Sequence, residues 1–217
     1  MSAPSTGSPP APGRRPPAEV LAQRRRREII EAAYRVFSEK GYSAAGIADI
    51  AARLGMGHGT FYRYFRNKRD ILEQVVDYGV ERIVDVLKRE EATPATTLDQ
   101  FREQLRHIGE RLFSLLETDP GLGQVVLLEA TSIDHELTQH VLGLVDRFGA
   151  LAATFLEQGV RGGFLRADLD TERVGRAITA LTLPELFAAL RGAAGPEQRQ
   201  RYVDAMVRLV FDGIAVT

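Results

Sequence analysis

The chain of 217 residues contains no cysteine, which excludes disulfides, thiolate metal sites and cysteine nucleophiles at once. It also lacks an apolar run long enough to form a transmembrane helix. No apolar segment of the kind found in signal peptides is visible near its N-terminus. We therefore expect a cytoplasmic protein that makes no membrane contact.

The patterns of common catalytic and metal sites are also absent. No Gly-x-Ser-x-Gly elbow and no phosphate-binding loop occurs in the chain. No two of the four histidines stand four residues apart around a glutamate, which is the spacing of a helical zinc site. These histidines are His58, His107, His135 and His140. The sequence therefore predicts no metal, no cofactor, no catalytic residue and no enzyme.

Charge is nearly balanced over the whole chain, at −1, but it is unevenly distributed. Residues 1–70 hold 13 Lys and Arg against 6 Asp and Glu, whereas residues 71–217 hold 15 against 23. A basic front joined to an acidic rear is typical of an N-terminal nucleic-acid-binding module on a body with another task.

The first residues differ in composition from the rest. Six of the ten prolines lie within residues 1–18, and such a segment buries too little apolar surface to fold, so we predict a disordered tail. A run of four arginines, Arg24, Arg25, Arg26 and Arg27, then opens a helix. Because positive charge at a helix start opposes the helix dipole, a purely structural role is disfavoured. The run is either a solvated charge cluster or an arm that contacts phosphates or the minor groove, and we favour the arm.

Residues 46–65, GIADIAARLGMGHGTFYRYF, carry the pattern around which the chain is organised. One apolar stripe at helical spacing is formed by Ile47, Ile50, Ala51 and Leu54. Gly55 follows it, as expected of a residue that takes positive φ just past a helix. A second helix then starts at Gly57, with Phe61 and Phe65 on one face. Two short helices joined by a glycine turn predict a helix-turn-helix.

The second helix leaves hydroxyls, a guanidinium and an imidazole facing outward, which suit a groove lined by phosphates. His58, near the helix start, is placed to reach base edges. A nucleotide-binding glycine loop is disfavoured because no strand precedes the glycines. A buried helical hairpin is disfavoured by the density of tyrosine and basic residues. DNA binding is the better interpretation.

From Arg24 to about Asp77 the chain resembles the DNA-binding domain of the TetR family of bacterial transcriptional repressors. The matching residues, spread over about a quarter of the chain, are Ala33, Phe37, Gly41, Tyr42, Ile47, Asp49, Ile50, Ala51, Gly55, Gly59, Thr60, Phe61, Tyr62, Tyr64, Phe65, Asn67, Lys68, Ile71 and Leu72. Two departures occur. Ala45 and Gly46 stand where the family usually has Thr or Ser, and Gly57 stands where it often has Ser. Any phosphate contact from Ala45 is therefore limited to its backbone N–H.

The resemblance implies that Tyr62, Tyr64 and Lys68 contact the DNA backbone. Lys68 also lies at the first turn of a long helix, where its ammonium and backbone N–H groups are expected to converge on one phosphate. The residues assigned to DNA are Arg24, Arg25, Arg26, Arg27, Gly46, Gly57, His58, Gly59, Thr60, Tyr62, Arg63, Tyr64, Asn67 and Lys68.

No alternating strand pattern appears, so we predict an all-α protein. The expected parts are a disordered tail (1–18), a three-helix DNA-binding domain (19–70, with the helix-turn-helix at about 46–65) and a larger helical effector-binding and dimerisation domain (71–217). The expected later helices span 68–89, 97–117, 120–131, 134–161, 170–191 and 196–214, with Asp170 or Thr171 capping the fifth of these. By resemblance, the last two pair with those of a second subunit as a four-helix bundle.

The resemblance also implies a cavity among the middle helices that binds a small-molecule effector. The candidates are Tyr78, His107, Arg111, Leu112, Phe113, Leu128, Glu129, Phe148 and Phe155. Each is equally consistent with ordinary core. Glu129 needs a partner if it is buried, and His107 or Arg111 are candidates for that role. Apolar lining favours a largely hydrophobic effector.

The leading hypothesis is therefore a homodimeric repressor that a small, largely hydrophobic effector releases from double-stranded operator DNA. One alternative is a helical small-molecule-binding protein or enzyme that retains the motif. Another is an activator that uses the same DNA-binding module.

Overall fold

The computed structural model describes residues 17–88, 95–190 and 195–214. Helices dominate these residues, and no β-strand occurs among them. The α-helices are α1 (Ala18–Lys40), α2 (Ile47–Arg53), α3 (His58–Tyr62), α4 (Lys68–Lys88), α5 (Leu98–Thr118), α6 (Pro120–Gly123), α7 (His135–Arg161), α8 (Thr171–Leu190) and α9 (Pro196–Ile214). A π-helix (Gln124–Glu129) and a 3-10 helix (Ala130–Ser132) join α6 to α7. The all-α prediction is confirmed.

Helices α1, α2 and α3 pack with the start of α4 to form the N-terminal domain. Its fully buried side chains include Phe37, Ile50, Phe61, Phe65 and Ile71. Gly41 has φ +77° and Gly55 has φ +59°, so α1 and α2 both end at residues that tolerate the left-handed region. These two helix ends were predicted from the sequence. The glycine turn sets the short helix α3 across α2, with Phe61 and Phe65 facing the core.

Three predicted boundaries are wrong. Helix α1 begins at Ala18 and not at Arg24, because residues 18–23 are good helix formers and Glu19 complements the dipole in the first turn. Helix α3 ends at Tyr62, short of Phe65, which was predicted to lie on the same helix as Phe61. The single helix predicted for 120–131 is instead α6, the π-helix and the 3-10 helix in succession. Apart from Pro17 and Ala18, the tail predicted for residues 1–18 lies outside the described residues.

The remaining helices form the body of the molecule. Helices α5, α7, α8 and α9 pack around an apolar interior, in which Phe101 stacks on Phe155 with ring centroids 4.4 Å apart. Three helices of the body start with side-chain caps: Thr97 accepts from Gln100 N at 3.2 Å, Asp134 from Leu137 N at 2.8 Å and Asp170 from Arg173 N at 3.1 Å. The cap at Asp170 was predicted from the sequence.

Helix α4 belongs to both parts, and polar contacts reinforce this connection. Arg69, in the first turn of α4, donates to both carboxylate oxygens of Asp134 at 3.0 and 3.3 Å, to Glu136 at 2.9 Å and to Glu73 at 2.8 Å. The Arg69 guanidinium, helped by the Leu137 N–H, lowers the pKa of the Asp134 carboxyl. The start of α7 is thereby fixed to the N-terminal domain.

Neither a membrane-spanning helix nor a cluster of metal ligands occurs among the described residues. In residues 17–88, 95–190 and 195–214, no helix is long and apolar enough to cross a membrane. Within the same ranges, no group of three or more His, Cys, Asp or Glu is arranged to hold a metal ion.

Candidate DNA-binding surface and effector cavity

Helix α3 presents a polar, solvent-exposed face. Phe61 is fully buried and fixes the helix to the core, while Tyr62 beside it is 57% exposed. His58, Gly59 and Arg63 are also exposed. The buried and exposed residues follow the helical period, so burial of one side orients the other outward. This face combines an imidazole, a phenol and a guanidinium, which are groups that bind phosphate oxygens and base edges.

Neighbouring residues extend this surface. Thr60 and Tyr64 are half-buried, and Tyr64 packs against the domain core. The side chain of Arg66, in the turn between α3 and α4, is 89% exposed. Arg66 was not among the residues assigned to DNA from the sequence. Its position directly after the helix-turn-helix was the available signal for including it.

Gly59 on this surface has no steric reason to be glycine. A Cβ built on it meets no atom within 4 Å, and its φ is not positive. Glycine inside a helix is destabilising by about 0.5–1 kcal/mol relative to alanine. Gly57, where a built Cβ also meets no atom within 4 Å, is the N-cap of α3, a position at which glycine is preferred over alanine. The open space at both residues allows another molecule to approach α3 closely.

The structure gives the Lys68 ammonium partners within the chain. It donates to the carbonyls of Tyr42 at 2.7 Å, Ala45 at 2.9 Å and Ser43 at 3.4 Å. It also lies 4.3 Å from the centroid of the Tyr42 ring. An ammonium has three donors, and all three point at the connection between α1 and α2. Lys68 thus fixes this connection in the isolated chain, and its contact with a phosphate stays a prediction.

Replacing Lys68 with methionine separates these two roles. We expect the variant to lose about 1.5–3 kcal/mol of unfolding free energy, because hydrogen bonds from a charged group are lost. The salt dependence of its DNA binding should stay unchanged, whereas loss of a phosphate contact lowers the logarithmic slope by about 1. Denaturant unfolding and binding at graded salt measure the two quantities. A variant that is as stable as the unmodified chain but has a reduced slope would show that Lys68 contacts a phosphate.

Two further assigned residues use their polar groups within the chain. The Gly46 N–H donates to Asp49 Oδ2 at 2.8 Å, which caps α2. Asn67 Oδ1 accepts from Asp70 N at 2.9 Å, which caps α4. These two groups satisfy helix ends in the isolated chain, and the DNA contacts assigned to Gly46 and Asn67 stay predictions.

The four arginines lie within α1 and not on an extended arm. Arg24 and Arg27 are 78% and 64% exposed, respectively. Arg25 donates to Glu28 at 2.8 Å. Arg26 points inward, donating to Gln74 at 2.9 Å, with its guanidinium 4.9 Å from the Phe65 ring centroid. The correction is therefore specific: Arg26 has a packing role, and Arg24 and Arg27 retain the exposure that a phosphate contact requires.

A cavity of about 210 Å³ lies inside the body. Its walls come from α4 to α9 and the π-helix, and none of the described residues lining it carries a charge. The polar side chains in the wall are Thr179, Thr182 and Tyr202, whose hydroxyls donate to the carbonyls of Gly175, Thr179 and Leu181, respectively. Such a wall favours an apolar ligand or ligand segment.

Four of the candidate effector residues line this cavity, namely Leu112, Phe113, Phe148 and Phe155. The other five do not. Tyr78 packs edge-on against Tyr34 at 5.6 Å, and His107 is an exposed residue that contacts Glu103 at 3.1 Å. Arg111 and Leu128 are exposed on the outside of the body. Helical spacing identifies an apolar stripe but not which of its neighbours face inward, so it could not separate these residues from those that line the cavity.

Glu129 is the fifth candidate that does not line the cavity, and its hydrogen-bond partner Tyr42 lies in the N-terminal domain. Its Oε2 accepts from the backbone N–H of Tyr42 at 2.6 Å, and its Oε1 accepts from Gln124 Nε2 at 3.2 Å. The expected need for a partner is met, but neither His107 nor Arg111 provides it. None of the nine candidates given above lies on α8 or α9, although both helices line the cavity, because those helices were assigned to dimerisation.

Comparisons with known proteins agree with these features. The family model described as "Bacterial regulatory proteins, tetR family" matches residues 29–75. The fatty acid metabolism regulator protein of Bacillus subtilis is 29% identical over 158 residues, covering 73% of this chain and 79% of that protein. The transcriptional activator FasR of Mycolicibacterium smegmatis is 32% identical over 110 residues, covering 51% of this chain and 48% of that protein.

A solved structure gives the corresponding similarity in three dimensions. The transcriptional regulator FadR of Bacillus subtilis, crystallised in complex with stearoyl-CoA, superposes with a TM-score of 0.67 at 25% identity. The match covers 87% of this chain and 98% of that one. The similarity therefore extends through both the N-terminal domain and the body.

Proposed function

The chain belongs to the TetR family of bacterial regulatory proteins, and we propose that it is a dimeric repressor released from operator DNA by a long-chain acyl thioester. That it is a DNA-binding transcriptional regulator follows from the family. The repressor role, the dimer, the effector and the contacting residues are the parts that we propose. The observation that carries the proposal is the exposed polar face of α3, held outward by buried Phe61.

Helix α3 is proposed to enter the major groove, with His58 at base edges and Tyr62, Arg63 and Arg66 at phosphates. Arg24 and Arg27 add positive charge on α1. The acidic body disfavours wrapping of DNA around the whole molecule, so binding is confined to the basic N-terminal domain. Because its DNA lies in the cytoplasm of a bacterium, we also place the protein there.

The dimer is supported by apolar side chains that α8 and α9 leave in solvent. Leu181 and Phe187 on α8 are 38% and 37% exposed, and Leu209 on α9 is 65% exposed. Pairing of these helices across a two-fold axis removes this surface from water. Two-fold symmetry then requires a near-palindromic operator whose half-sites lie about one helical turn, or a multiple of it, apart.

The effector proposal combines the cavity with the relatives. The uncharged wall suits a hydrocarbon chain, and the chain is similar to a regulator solved with stearoyl-CoA. A charged head group is excluded from such a wall because it finds no partner there. The acyl chain therefore occupies the cavity while the polar part of the thioester stays at the surface. Release requires the ligand to bind the DNA-incompetent conformation more tightly.

The test uses the full chain and a duplex that it selects from a randomised pool. Fluorescence anisotropy measures operator affinity with and without stearoyl-CoA. We expect saturating stearoyl-CoA to weaken operator binding by at least about tenfold. Unchanged affinity despite measurable binding of stearoyl-CoA would contradict the effector proposal. Failure to select any duplex would contradict DNA recognition itself.

An activator is the second candidate, since the similar protein FasR is described as a transcriptional activator. The two candidate functions differ in the position of the selected site relative to the promoter and in the effect of binding on transcription. A repressor lowers transcription in vitro from a promoter that contains the site, whereas an activator raises it.

Two substitutions separate phosphate contact from base readout. Tyr62→Phe removes only an exposed hydroxyl, so we expect about tenfold weaker binding to every duplex with unchanged stability. His58→Ala should instead change which base is preferred within the half-site. Binding to a panel of single-base operator variants measures both effects. If both variants lose the same affinity for every duplex in the panel, His58 does not contact base edges.

A further inference from the structure

One stripe of α1 faces a single segment of the body. Tyr34 and Ser38 lie one turn apart on α1 and face this segment, and Tyr42 follows just past the end of α1. Tyr34 donates to Asp119 Oδ1 at 2.5 Å, and Tyr42 N donates to Glu129 Oε2 at 2.6 Å. Between them, a Cβ on Gly121 would lie 2.4 Å from the Ser38 side chain. Residues 119–129 therefore pack closely against α1 along their length.

The opposite side of the same segment forms part of the cavity wall. Leu122, Gly123 and Val126 line the cavity, and Leu122 and Val126 are almost fully buried. Residues 119–129 thus separate the cavity from α1. Any ligand that presses on Leu122 or Val126 presses on the segment that holds Tyr42.

Tyr42 is the residue on which these contacts converge. Its N–H binds Glu129 from the body, while its carbonyl accepts from Lys68 at 2.7 Å. Gly41, just before it, has φ +77° and ends α1. The connection between α1 and α2 is therefore held from the body on one side and from α4 on the other. Its position sets the start of α2 and, through α2, the direction of α3.

We propose that Glu129 is the positioning residue through which occupancy of the cavity controls the orientation of the helix-turn-helix. The inference rests on the proposed function, because it requires a cavity ligand that changes operator affinity. In the empty protein the Glu129 carboxylate holds the Tyr42 N–H and with it the DNA-competent arrangement. A ligand that displaces Val126 moves Glu129 and breaks this hydrogen bond.

The backbone of the segment supports such a movement. Residues 124–129 form a π-helix, and Ala130 N donates to Val125 O across its wide turn. A π-turn differs from an α-turn by one hydrogen-bonding register, so a small displacement gives it an alternative set of partners. Two discrete arrangements are what a switching element needs.

The experiment compares Glu129→Ala with Glu129→Gln and, as a matched control, Glu157→Ala, a change at an exposed glutamate of α7. Operator affinity is measured with and without saturating stearoyl-CoA, and stearoyl-CoA binding is titrated directly. In Glu129→Ala we expect the at least tenfold ratio of the unmodified chain to fall to below about threefold, with stearoyl-CoA bound at least as tightly as by the unmodified chain. The glutamine variant should restore the ratio, because its amide oxygen still accepts from the Tyr42 N–H. An undiminished ratio in Glu129→Ala would overturn the inference.

A second experiment tests the inference without stearoyl-CoA. Ala152→Phe places a ring in the cavity, where Ala152 forms part of the wall. We expect Ala152→Phe to weaken operator binding in the otherwise unmodified chain but not in Glu129→Ala. Equal losses in both backgrounds, or no loss in either, would overturn the inference. If the unmodified chain ignores stearoyl-CoA, the effector proposal fails and this second experiment alone decides the role of Glu129.

Discussion

Enlarging the side chain at position 59 is expected to weaken operator binding while leaving the protein at least as stable. Gly59 lies inside α3, and a Cβ there meets nothing within the chain. Gly59→Ala should raise the free energy of unfolding by about 0.5–1 kcal/mol, because alanine is the better helix former. The same Cβ points to where α3 is proposed to meet DNA. A side chain that overfills this contact is expected to reduce the binding free energy by about 1–3 kcal/mol, which weakens operator affinity about five- to 150-fold. Gly59→Leu should weaken it more than Gly59→Ala.

Gly143 provides the matched control for this experiment. It is also a helical glycine with no atom within 4 Å of a built Cβ, but it lies on α7 in the body. Gly143→Ala should gain similar stability with unchanged operator affinity. Denaturant unfolding and fluorescence anisotropy measure the two quantities for each variant. If Gly59→Leu binds the operator as tightly as the unmodified chain, α3 does not approach DNA at Gly59.

Chain length of the acyl thioester is expected to control effector affinity steeply. Each CH₂ moved from water into the apolar cavity contributes up to about 0.8 kcal/mol, so two added carbons increase affinity up to about tenfold or slightly more. The increase should stop once the chain fills the cavity of about 210 Å³. Titrating acyl-CoA esters from acetyl to stearoyl and beyond by calorimetry gives this profile directly.

Two controls isolate the contribution of the cavity. Coenzyme A without an acyl group should bind at least as weakly as the acetyl ester, since it has nothing to place between the helices. In Ala152→Phe the length dependence should be lost. A profile that is flat with chain length, or strongest for the acetyl ester, would show that the cavity is not the acyl site.

Features that depend on local sequence could be predicted well. The glycine turn at Gly55, the burial of Phe61 and Phe65 and the Asp170 cap each depend on residues within one or two helical turns. The same holds for exposure of Tyr62, which follows from the helical period once Phe61 faces the core. Phe148 and Phe155 were candidates for a cavity that the family resemblance implies, and both line the cavity.

Features that depend on distant partners could not be predicted. Lys68 was assigned to a phosphate because its position at a helix start is suitable, but its three acceptors lie more than twenty residues earlier in the chain. Arg26 was assigned to DNA, and Gln74 and Phe65 hold it inside. Glu129 finds its partner 87 positions away in Tyr42. A side chain with several donors or acceptors binds the partners that the fold brings close to it. The periodicity of the sequence does not indicate which distant residues those partners are.

The most direct test of DNA binding by the basic N-terminal domain is the affinity of the full chain for its selected duplex at graded salt. We predict that the logarithm of the binding constant falls linearly with the logarithm of salt concentration, with a slope of about −0.9 per neutralised phosphate. The selected duplex should bind more tightly than a scrambled one at every salt concentration. An affinity independent of salt, or equal for the selected and scrambled duplexes, would contradict sequence-specific DNA binding by α3.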